Sequence, residues 1–396
     1  MNISAAPVDF RVQPGESSEQ SHATYSELRG RCPVAHSDSL GGFWALTRYD
    51  DVARAAADYA LFTTTVQNVV PKVAFTGRRP PLHLDPPEQT LYRAALNPLL
   101  TTAKLALLKP RIREIVRGTL EPLIERGEGD ICEAFSSRFP VQVFAHWMNL
   151  PPGLEAQLME AGPAFIGAVQ AADEPAMRDS SLVLYDMARA LIALRQAEPL
   201  PAESDPVSAL LAVRQDGHCL PEDMVVGAVR QVLVVGIVAP MIMVGNMAVH
   251  LARDAALHRQ LKDDPSLVPA AVEEFLRLYT PYRGFARTPT REVTLGGRSI
   301  RTDEPVALIY ASANRDEEVF EDPETFRLDR PNIGDHLAFG RGPHYCAGAS
   351  LARIELAIAL EELVSSTTRI EIAGPVRSAP FPEIGPWSVP VRLHRG

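Results

Sequence analysis

The stretch HLAFGRGPHYCAGASLARIE, residues 336–355, carries the strongest chemical signal in the sequence. Gly340, Gly342 and Gly348 flank Cys346, and a helix is predicted to begin directly after the cysteine. Glycines permit positive φ angles and close backbone approach, so amide N–H groups can point at the sulfur. The start of a helix also favours negative charge. Both effects stabilise a thiolate, and a thiolate is a good ligand for a soft metal ion.

Taken alone, the cysteine loop leaves two other interpretations open. A buried, inert side chain is the commonest state of a free cysteine. A zinc site could use His344 and Cys346, but no second pair of ligands has suitable spacing. The four cysteines contain no CxxC pair, which disfavours a zinc ribbon and a secreted disulfide framework and favours a reducing cytoplasm. We expect Cys32, Cys132 and Cys219 to be packing residues.

Six positions around the cysteine follow one short pattern: Phe339, Gly340, Gly342, His344, Cys346 and Gly348. The pattern resembles the haem-binding signature of the cytochrome P-450 family, and chance would produce it about once in 10⁷ windows. The resemblance implies a mainly α-helical fold with small β-sheets, in which haem b lies between a long central helix and the cysteine loop. It also implies that Cys346 is the axial ligand of the haem iron, with Phe339 and Gly340 beside the cofactor.

Other segments extend the resemblance over about residues 25–390. Glu274 and Arg277 match the family's Glu-x-x-Arg motif, whose spacing places both side chains on one helix face. Such a pair is commonly a solvated ion pair. Its position before the cysteine loop implies the family's buried structural ion network instead.

The resemblance also implies contacts to the haem propionates. Arg287 matches an arginine that pairs with a propionate, and His344 would donate to a propionate as well. Near residue 90 the family usually has His-x-x-x-Arg, whereas this chain has Gln89 and Arg93. Glutamine can donate a neutral hydrogen bond, so we expect one altered contact at Gln89 and a retained one at Arg93.

The predicted central helix, from Pro221 to about residue 253, departs from the family pattern. The family usually reads (Ala/Gly)-Gly-x-(Asp/Glu)-Thr, and its acid and alcohol relay protons during oxygen activation. Here Gly236 is followed by Val238 at the acid position and Ala239 at the alcohol position, and neither can carry a proton. Pro240 follows and removes a helical hydrogen bond, which predicts a kink in the oxygen-binding groove.

Three functions are compatible with this departure. Water or a polar group of the substrate could supply the proton to a monooxygenase. Hydrogen peroxide could be the oxidant of a peroxygenase, since it brings both oxygen and protons; some peroxygenases of the family have a proline here, but with an arginine that this chain lacks. The protein could instead be a non-catalytic haem-binding sensor or carrier. We expect the first, with electrons from a separate ferredoxin and ferredoxin reductase, because the chain shows no flavin or iron–sulfur domain.

Composition and hydropathy bear on location and partners. The chain has 396 residues and a formal net charge of −10, which disfavours a nucleic-acid partner. The uncharged stretch between Arg230 and Arg253 is long enough to span a membrane, but it contains Pro240, Asn246 and His250. We therefore predict a buried central helix, no membrane association and a cytoplasmic location. Residues 1–24 are predicted to form a flexible arm, and 25–396 a single cytochrome P-450 domain.

The resemblance places the wall of a substrate pocket in the 63–81 loop, the central helix, residues 282–286 and the hairpin near Phe381. The candidate lining residues are mostly apolar: Val69, Val70, Phe75, Arg283, Phe285 and Phe381. This lining predicts a small hydrophobic or aromatic substrate. Arg283 could steer a carboxylate, although a solvated or propionate-facing arginine is an open alternative.

A local excess of basic residues predicts a docking surface. Residues 101–120 contain five cations and a single acid, Glu114: the cations are Lys104, Lys109, Arg111, Arg113 and Arg117. The resemblance places this region where an acidic ferredoxin docks. A solvated helix face is the alternative interpretation. The sequence makes no prediction of oligomeric state.

Overall fold

A computed structural model describes residues 7–72, 76–171, 173–283 and 285–396. About 54% of the chain is helical, with small sheets, as predicted. The described residues form two compact units. The cysteine-loop unit contains 7–72, 273–346 and 378–385, and the central-helix unit contains 76–272, 347–377 and 386–396. The single domain expected over 25–396 remains a prediction.

The helices are α1 (Ser18–Arg31), α2 (Tyr49–Ala57), α3 (Glu88–Leu96), α4 (Thr102–Arg126), α5 (Phe139–Trp147), α6 (Pro152–Gln170), α7 (Glu174–Ala197), α8 (Pro206–Ala212), α9 (Glu222–Val235), α10 (Val238–Arg253), α11 (Ala255–Asp263), α12 (Val268–Leu278), α13 (Tyr310–Ala313) and α14 (Ala349–Ser366). The strands are β1 (Val34–Ser37), β2 (Phe43–Leu46), β3 (Phe62–Thr63), β4 (Glu128–Asp130), β5 (Arg214–Gln215), β6 (His218–Cys219), β7 (Phe285–Pro289), β8 (Val293–Leu295), β9 (Arg298–Ile300), β10 (Val306–Leu308), β11 (Thr367–Ile372), β12 (Arg377–Ser378), β13 (Pro386–Ser388) and β14 (Pro390–Arg395).

The cysteine-loop unit is built on a five-stranded sheet in the order β1-β2-β10-β7-β3. Strand β2 is antiparallel to β1 and parallel to β10, so the sheet is mixed. All four residues of β2 are buried because each face of the sheet carries its own hydrophobic core. Trp44 and Leu46 enter one core, while Phe43 and Ala45 enter the other.

The central-helix unit is mainly α-helical. Helix α4 packs on α14, and α7 packs on both α6 and α9. The segment Glu222–Arg253 is long and apolar enough to cross a membrane, with a mean hydropathy of 2.3 over its most apolar window. That window is 78% buried inside the protein, which agrees with the predicted buried helix.

Residues 7–24, the described part of the predicted arm over 1–24, contain regular structure. Helix α1 begins at Ser18, and Ser17 and Gln20 form a reciprocal capping box at its start. Phe10 forms a β-bridge with Ser37. The Ser-x-x-Gln pattern was present in the sequence and would have indicated this helix start.

The cysteines other than Cys346 do not share one environment. Cys132 is buried, and burial raises the pKa of its thiol to about 12. Partial burial also raises the pKa of Cys32. Cys219 is exposed in the β5–β6 hairpin, so the prediction that it packs is wrong.

Candidate haem site

The cysteine loop requires glycine at two of the three predicted positions. Gly340 and Gly342 have φ angles of 72° and 71°, in the left-handed region. A Cβ atom on Gly342 would also lie 2.6 Å from the Cα atom of Ala57. Gly348 has φ −83° and caps α14 instead. The Cys346 amide donates to the Phe339 carbonyl at 2.9 Å and closes a loop on which the cysteine is exposed.

Residues on both sides of the loop hold it in place. The Leu337 amide donates to Oδ1 of Asn314 at 2.6 Å, and Asn314 Nδ2 in turn donates to Thr280 at 2.7 Å. His344 Nε2 lies 3.4 Å from the hydroxyl of Thr64. The Phe339 ring lies 6.3 Å from that of Tyr345. The loop is therefore anchored to the rest of its unit by buried polar contacts.

Glu274 and Arg277 form a fully buried ion network, as the resemblance implied. Arg277 donates to both carboxylate oxygens of Glu274, at 2.9 and 2.8 Å. It also donates to the carbonyls of Asn314 and Pro323. A third member, Arg330, donates to the same carboxylate at 3.1 Å and has no sequence motif that would have revealed it. The charged groups of the network are hydrogen-bonded to one another and to backbone carbonyls, so the network can rigidify the segment before the loop.

Arg287 is a buried arginine that does not use all of its hydrogen-bond donors within the described residues. It lies on β7 with 4% exposure, and its Nη1 donates to the neighbouring Ala286 carbonyl. Its Nε has no hydrogen-bond partner among the described residues. Burial raises the pKa of the nearby Tyr310 phenol, and the charge of Arg287 and its hydrogen bond with the phenol oppose that rise. Since a buried unpaired guanidinium is costly, this side chain fits a haem propionate.

Gln89 and Arg93 lie in the central-helix unit, on α3. Gln89 is 3% exposed in the first turn, and Arg93 follows one turn later. Their spacing of four residues places both side chains on one helix face. The propionate contacts expected of both remain predictions.

The central helix is broken rather than kinked. Helix α9 ends at Val235, Gly236 has non-helical angles of −97° and 12°, and α10 begins at Val238. Pro240 is the third residue of α10, where a helix amide has no intrahelical acceptor. A Cβ on Gly236 would lie 1.8 Å from the Phe144 ring. The aromatic ring of α5 therefore fills the break, and only glycine fits there.

The residues around the break are apolar and unequally exposed. Ile237 and Val238 are buried, at 3% and 4%. Val235, at the end of α9, is 53% exposed, and Ala239, in the first turn of α10, is half-buried. The positions of the family's acid and alcohol therefore hold side chains that carry no dissociable proton.

The predicted pocket residues divide between core and partly exposed positions. Val70 and Phe381 are buried in a core of the cysteine-loop unit. Val69 forms a β-bridge with Phe285, and both are half-buried. Val70 and Phe381 thus pack the core, while Val69 and Phe285 remain candidates for a lining. Phe75 lies outside the described residues.

Arg283 is held within the fold, which differs from the expected substrate-facing side chain. It is 2% exposed and forms an ion pair with Glu16. Its other donors go to the hydroxyl of Ser21 at 2.9 Å and to two backbone carbonyls. All of its guanidinium nitrogens are therefore occupied, and none is left for a carboxylate of a substrate.

The accessible cysteine in a glycine-dependent loop, together with a buried guanidinium in the same unit whose Nε has no partner among the described residues, fits a haem held by a cysteine thiolate. A family model for cytochrome P-450 matches residues 250–367. A cyclomarin C epoxidase from Salinispora arenicola is 31% identical over 89% of this chain and 90% of its own length. The chain therefore belongs to the cytochrome P-450 family, and the cofactor of that family is haem b.

Further relatives and solved structures agree. A mycinamicin IV hydroxylase/epoxidase from Micromonospora griseorubida is 31% identical, over 93% of this chain and 94% of its own. The structure of cytochrome P-450 CYP109Q5 from Chondromyces apiculatus superposes with a TM-score of 0.87 at 27% identity, and 98% of each chain is covered. Like these hydroxylases and epoxidases, the protein is a cytochrome P-450 monooxygenase.

Proposed function

We propose that this monooxygenase oxidises a small hydrophobic or aromatic molecule in the cytoplasm, with electrons from a separate ferredoxin and ferredoxin reductase. The observation that carries the proposal is the cysteine loop, which exposes Cys346 through glycine conformations that other residues rarely adopt. When bound, the haem supplies oxygen activation for insertion of one oxygen atom into the substrate.

The chain's own residues have separate roles in this proposal. Cys346 would hold the iron, and Arg287 and His344 of the same unit would hold propionates; the contacts expected of Gln89 and Arg93 stay predictions. The buried network of Glu274 fixes the segment before the loop. At the helix break, Val238 and Ala239 carry no dissociable proton, so the proton has to come from water or from a polar group of the substrate.

Absorption spectroscopy of the purified protein tests the central assignment. The reduced carbonyl complex should absorb near 450 nm, because a thiolate ligand produces that band. Cys346→Ala should lose the band, and the exposed Cys219→Ala is a matched control that should retain it. A Cys346→Ala protein with an unchanged spectrum would overturn the assignment of Cys346.

A peroxide-driven peroxygenase is the second candidate. The apolar Val238 and Ala239 favour it, since hydrogen peroxide brings its own protons. A non-catalytic sensor or carrier is the third. Parallel turnover of one substrate with a ferredoxin system and with peroxide distinguishes the three functions, because a sensor would turn over with neither.

The proposed ferredoxin-docking surface lies on α4, but it is less basic than the sequence suggested. Arg113 and Arg117 form ion pairs with Glu362 of α14, and Arg111 pairs with Glu114 at 2.7 Å. The surface gains an apolar centre instead, since Leu107 is 80% exposed. Lys104, Leu107 and Arg111 recur at helical spacing and form one face. An exposed leucine between cations suits an acidic partner with an apolar patch.

A further inference from the structure

The central-helix unit contains two buried arginines that have no acidic partner among the residues described. Arg230 on α9 is 0% exposed, and Arg79, in the segment before α3, is 9% exposed. Neither side chain has an ion pair with a carboxylate in the part of the chain that the structure describes. Arginines are almost never fully buried unless they are paired, so the arrangement requires an explanation.

Several donors of these arginines are unused. Nε and Nη1 of Arg230 and Nε of Arg79 lack hydrogen-bond partners among the described residues. The remaining Arg230 nitrogen, Nη2, donates to Ser181 Oγ at 2.9 Å. The hydroxyl of Tyr185 is also buried, and no described residue is its hydrogen-bond partner. The cluster thus holds four unsatisfied polar atoms, and every one of them can donate a hydrogen bond.

Neighbouring residues fix the cluster in place. The Phe165 ring lies 4.4 Å from the Arg230 guanidinium carbon and covers one face of the charge. Arg79 Nη2 lies 3.2 Å from His83 Nε2. Burial and the nearby arginines lower the pKa of His83 to about 3, so its ring is neutral and accepts this hydrogen bond.

Glycine allows the segment of Arg79 to approach α9. A Cβ on Gly227 would lie 2.0 Å from the Arg78 carbonyl oxygen, which shows how closely the segment packs on the helix. Gly227 is one turn before Arg230, so this contact sets Arg79 beside Arg230. Burial and the charge of Arg79 lower the pKa of Arg230 to about 9, which still leaves it protonated at neutral pH.

We infer that this arginine cluster binds the carboxylate of the substrate, so that the substrate class is an organic acid with an apolar body. A carboxylate accepts from two guanidinium groups and a phenol at once, and aromatic rings beside the charge suit an apolar remainder. Arg230 precedes Gly236 by six residues, or about 9 Å along the helix axis. A molecule anchored at Arg230 with six to ten carbon atoms would reach the helix break.

The inference rests on the proposed function in one respect, namely that the bound acid is the molecule that is oxidised. The binding of an acid by the arginine cluster can be tested separately. Isothermal titration calorimetry on the purified haem-loaded protein would use two acids, 4-phenylbutyrate and octanoate. The matched neutral probes are 4-phenyl-1-butanol and 1-octanol, and inorganic phosphate tests a simple anion. We expect the acids to bind at least about tenfold more tightly than the alcohols.

Variants locate the binding. Arg230→Met and Arg79→Met should each weaken binding of the acids by about 10- to 100-fold. The exposed Arg214→Met removes the same charge elsewhere in the unit and should change nothing. If Arg230→Met does not fold, Arg79→Met and Arg230→Lys test the acid binding instead. Arg230→Lys should also weaken it, since lysine keeps the charge but loses the planar fork.

Three results would overturn the inference. They are equal binding of acid and alcohol, absence of binding by either acid, and unchanged acid binding in the arginine variants. Phosphate binding as tight as that of the acids would also contradict it and indicate a simple anion site. The carbonyl-complex spectrum, measured on the same sample, shows independently whether the proposed haem-thiolate function holds.

Discussion

Gly236, in the break between α9 and α10, has no room for a side chain, and its role can be tested by adding one methyl group. Gly236→Ala places a Cβ against the Phe144 ring, where 1.8 Å separates the atoms. We expect the free energy of unfolding to fall by about 1–3 kcal/mol, because overpacking forces the ring or the helix to move. Urea denaturation followed by circular dichroism measures the change.

The control for this prediction is Gly118→Ala on α4. Its added methyl would meet nothing within 4 Å. Alanine is the better helix former by about 1 kcal/mol, so this variant should gain stability. Gly236→Ala with Phe144→Leu should recover part of the loss. Wild-type stability of Gly236→Ala would show that the break does not depend on the ring.

Arg287 should stabilise the haem at a cost to the haem-free protein. Arg287→Met removes a buried guanidinium whose Nε lacks a partner, so the haem-free protein should unfold at a higher temperature. The same change removes a charged hydrogen bond to a propionate and should weaken haem binding about 10- to 100-fold. Differential scanning fluorimetry and haem transfer to apomyoglobin measure the two effects.

The matched variant is Arg291→Met, which removes an exposed arginine from the same segment. Neither property should change in it. Faster haem loss in both variants would point to a general effect of charge. Unchanged haem retention in Arg287→Met would remove this residue from the propionate contacts.

At the scale of elements, α14 carries a buried carboxyl that makes stability depend on pH. Glu355 is 1% exposed, its Oε1 lacks a partner among the described residues, and burial raises its pKa well above the usual 4.5. Below pH 4.5 the group is protonated in both states. Above pH 4.5 the unfolded chain loses the proton while the folded chain keeps it. The free energy of unfolding therefore falls by up to about 1.4 kcal/mol for each unit by which the pH rises.

Glu355→Gln should remove this contribution and flatten the decline in stability that begins above pH 4.5. Urea unfolding at several pH values measures the slope. Glu125→Gln, on the exposed face of α4, should leave the slope unchanged. An identical slope in Glu355→Gln and wild type would show that Glu355 ionises in the folded protein.

Helix α4 should determine the rate of electron delivery if the proposed docking surface is used. Arg111→Glu reverses an exposed charge, so ferredoxin-supported reduction should slow several-fold and depend less on salt. Leu107→Ala should slow reduction while leaving the salt dependence intact. Stopped-flow reduction measures both. Arg178→Glu on α7 is the charge control, and equal slowing in that variant would exclude a specific surface on α4.

For the whole molecule, the features that the sequence predicts are those whose residues lie close together in the chain. The cysteine loop lies within ten residues, and Glu274 and Arg277 are three residues apart, so a linear pattern reveals both. Arg330 joins the same network from 56 residues away with no motif. Pro240 predicted a kink in the central helix, whereas the structure has a break at Gly236. That break is packed against the Phe144 ring, a contact that no linear pattern reveals.

The arginine cluster shows the same limit more strongly. Arg79 and Arg230 are about 150 residues apart in the sequence, and each resembles an ordinary surface cation there. The sequence offered Arg283 as one candidate for steering a carboxylate, but the fold uses the donors of Arg283 internally. Arg283 differs from the arginine cluster in that its guanidinium donors have hydrogen-bond partners. Whether such partners are present depends on contacts between residues far apart in the sequence.

The broken helix and the arginine cluster together predict how coupling depends on the substrate. The break lacks the acid and alcohol, so proton delivery depends on water or on the substrate itself. With the ferredoxin system, a purely hydrocarbon substrate such as butylbenzene should consume electrons mostly without product and release hydrogen peroxide. A substrate with a hydroxyl or acid group, such as 4-phenylbutyrate, should be oxidised with higher yield per NADPH consumed, because the anchored anion orders polar groups and water in the site. Product, NADPH and peroxide measured together give the coupling. Val238→Asp with Ala239→Thr restores the family pattern and should raise coupling with butylbenzene; tight coupling of the unmodified protein with butylbenzene would show that the chain has another proton route.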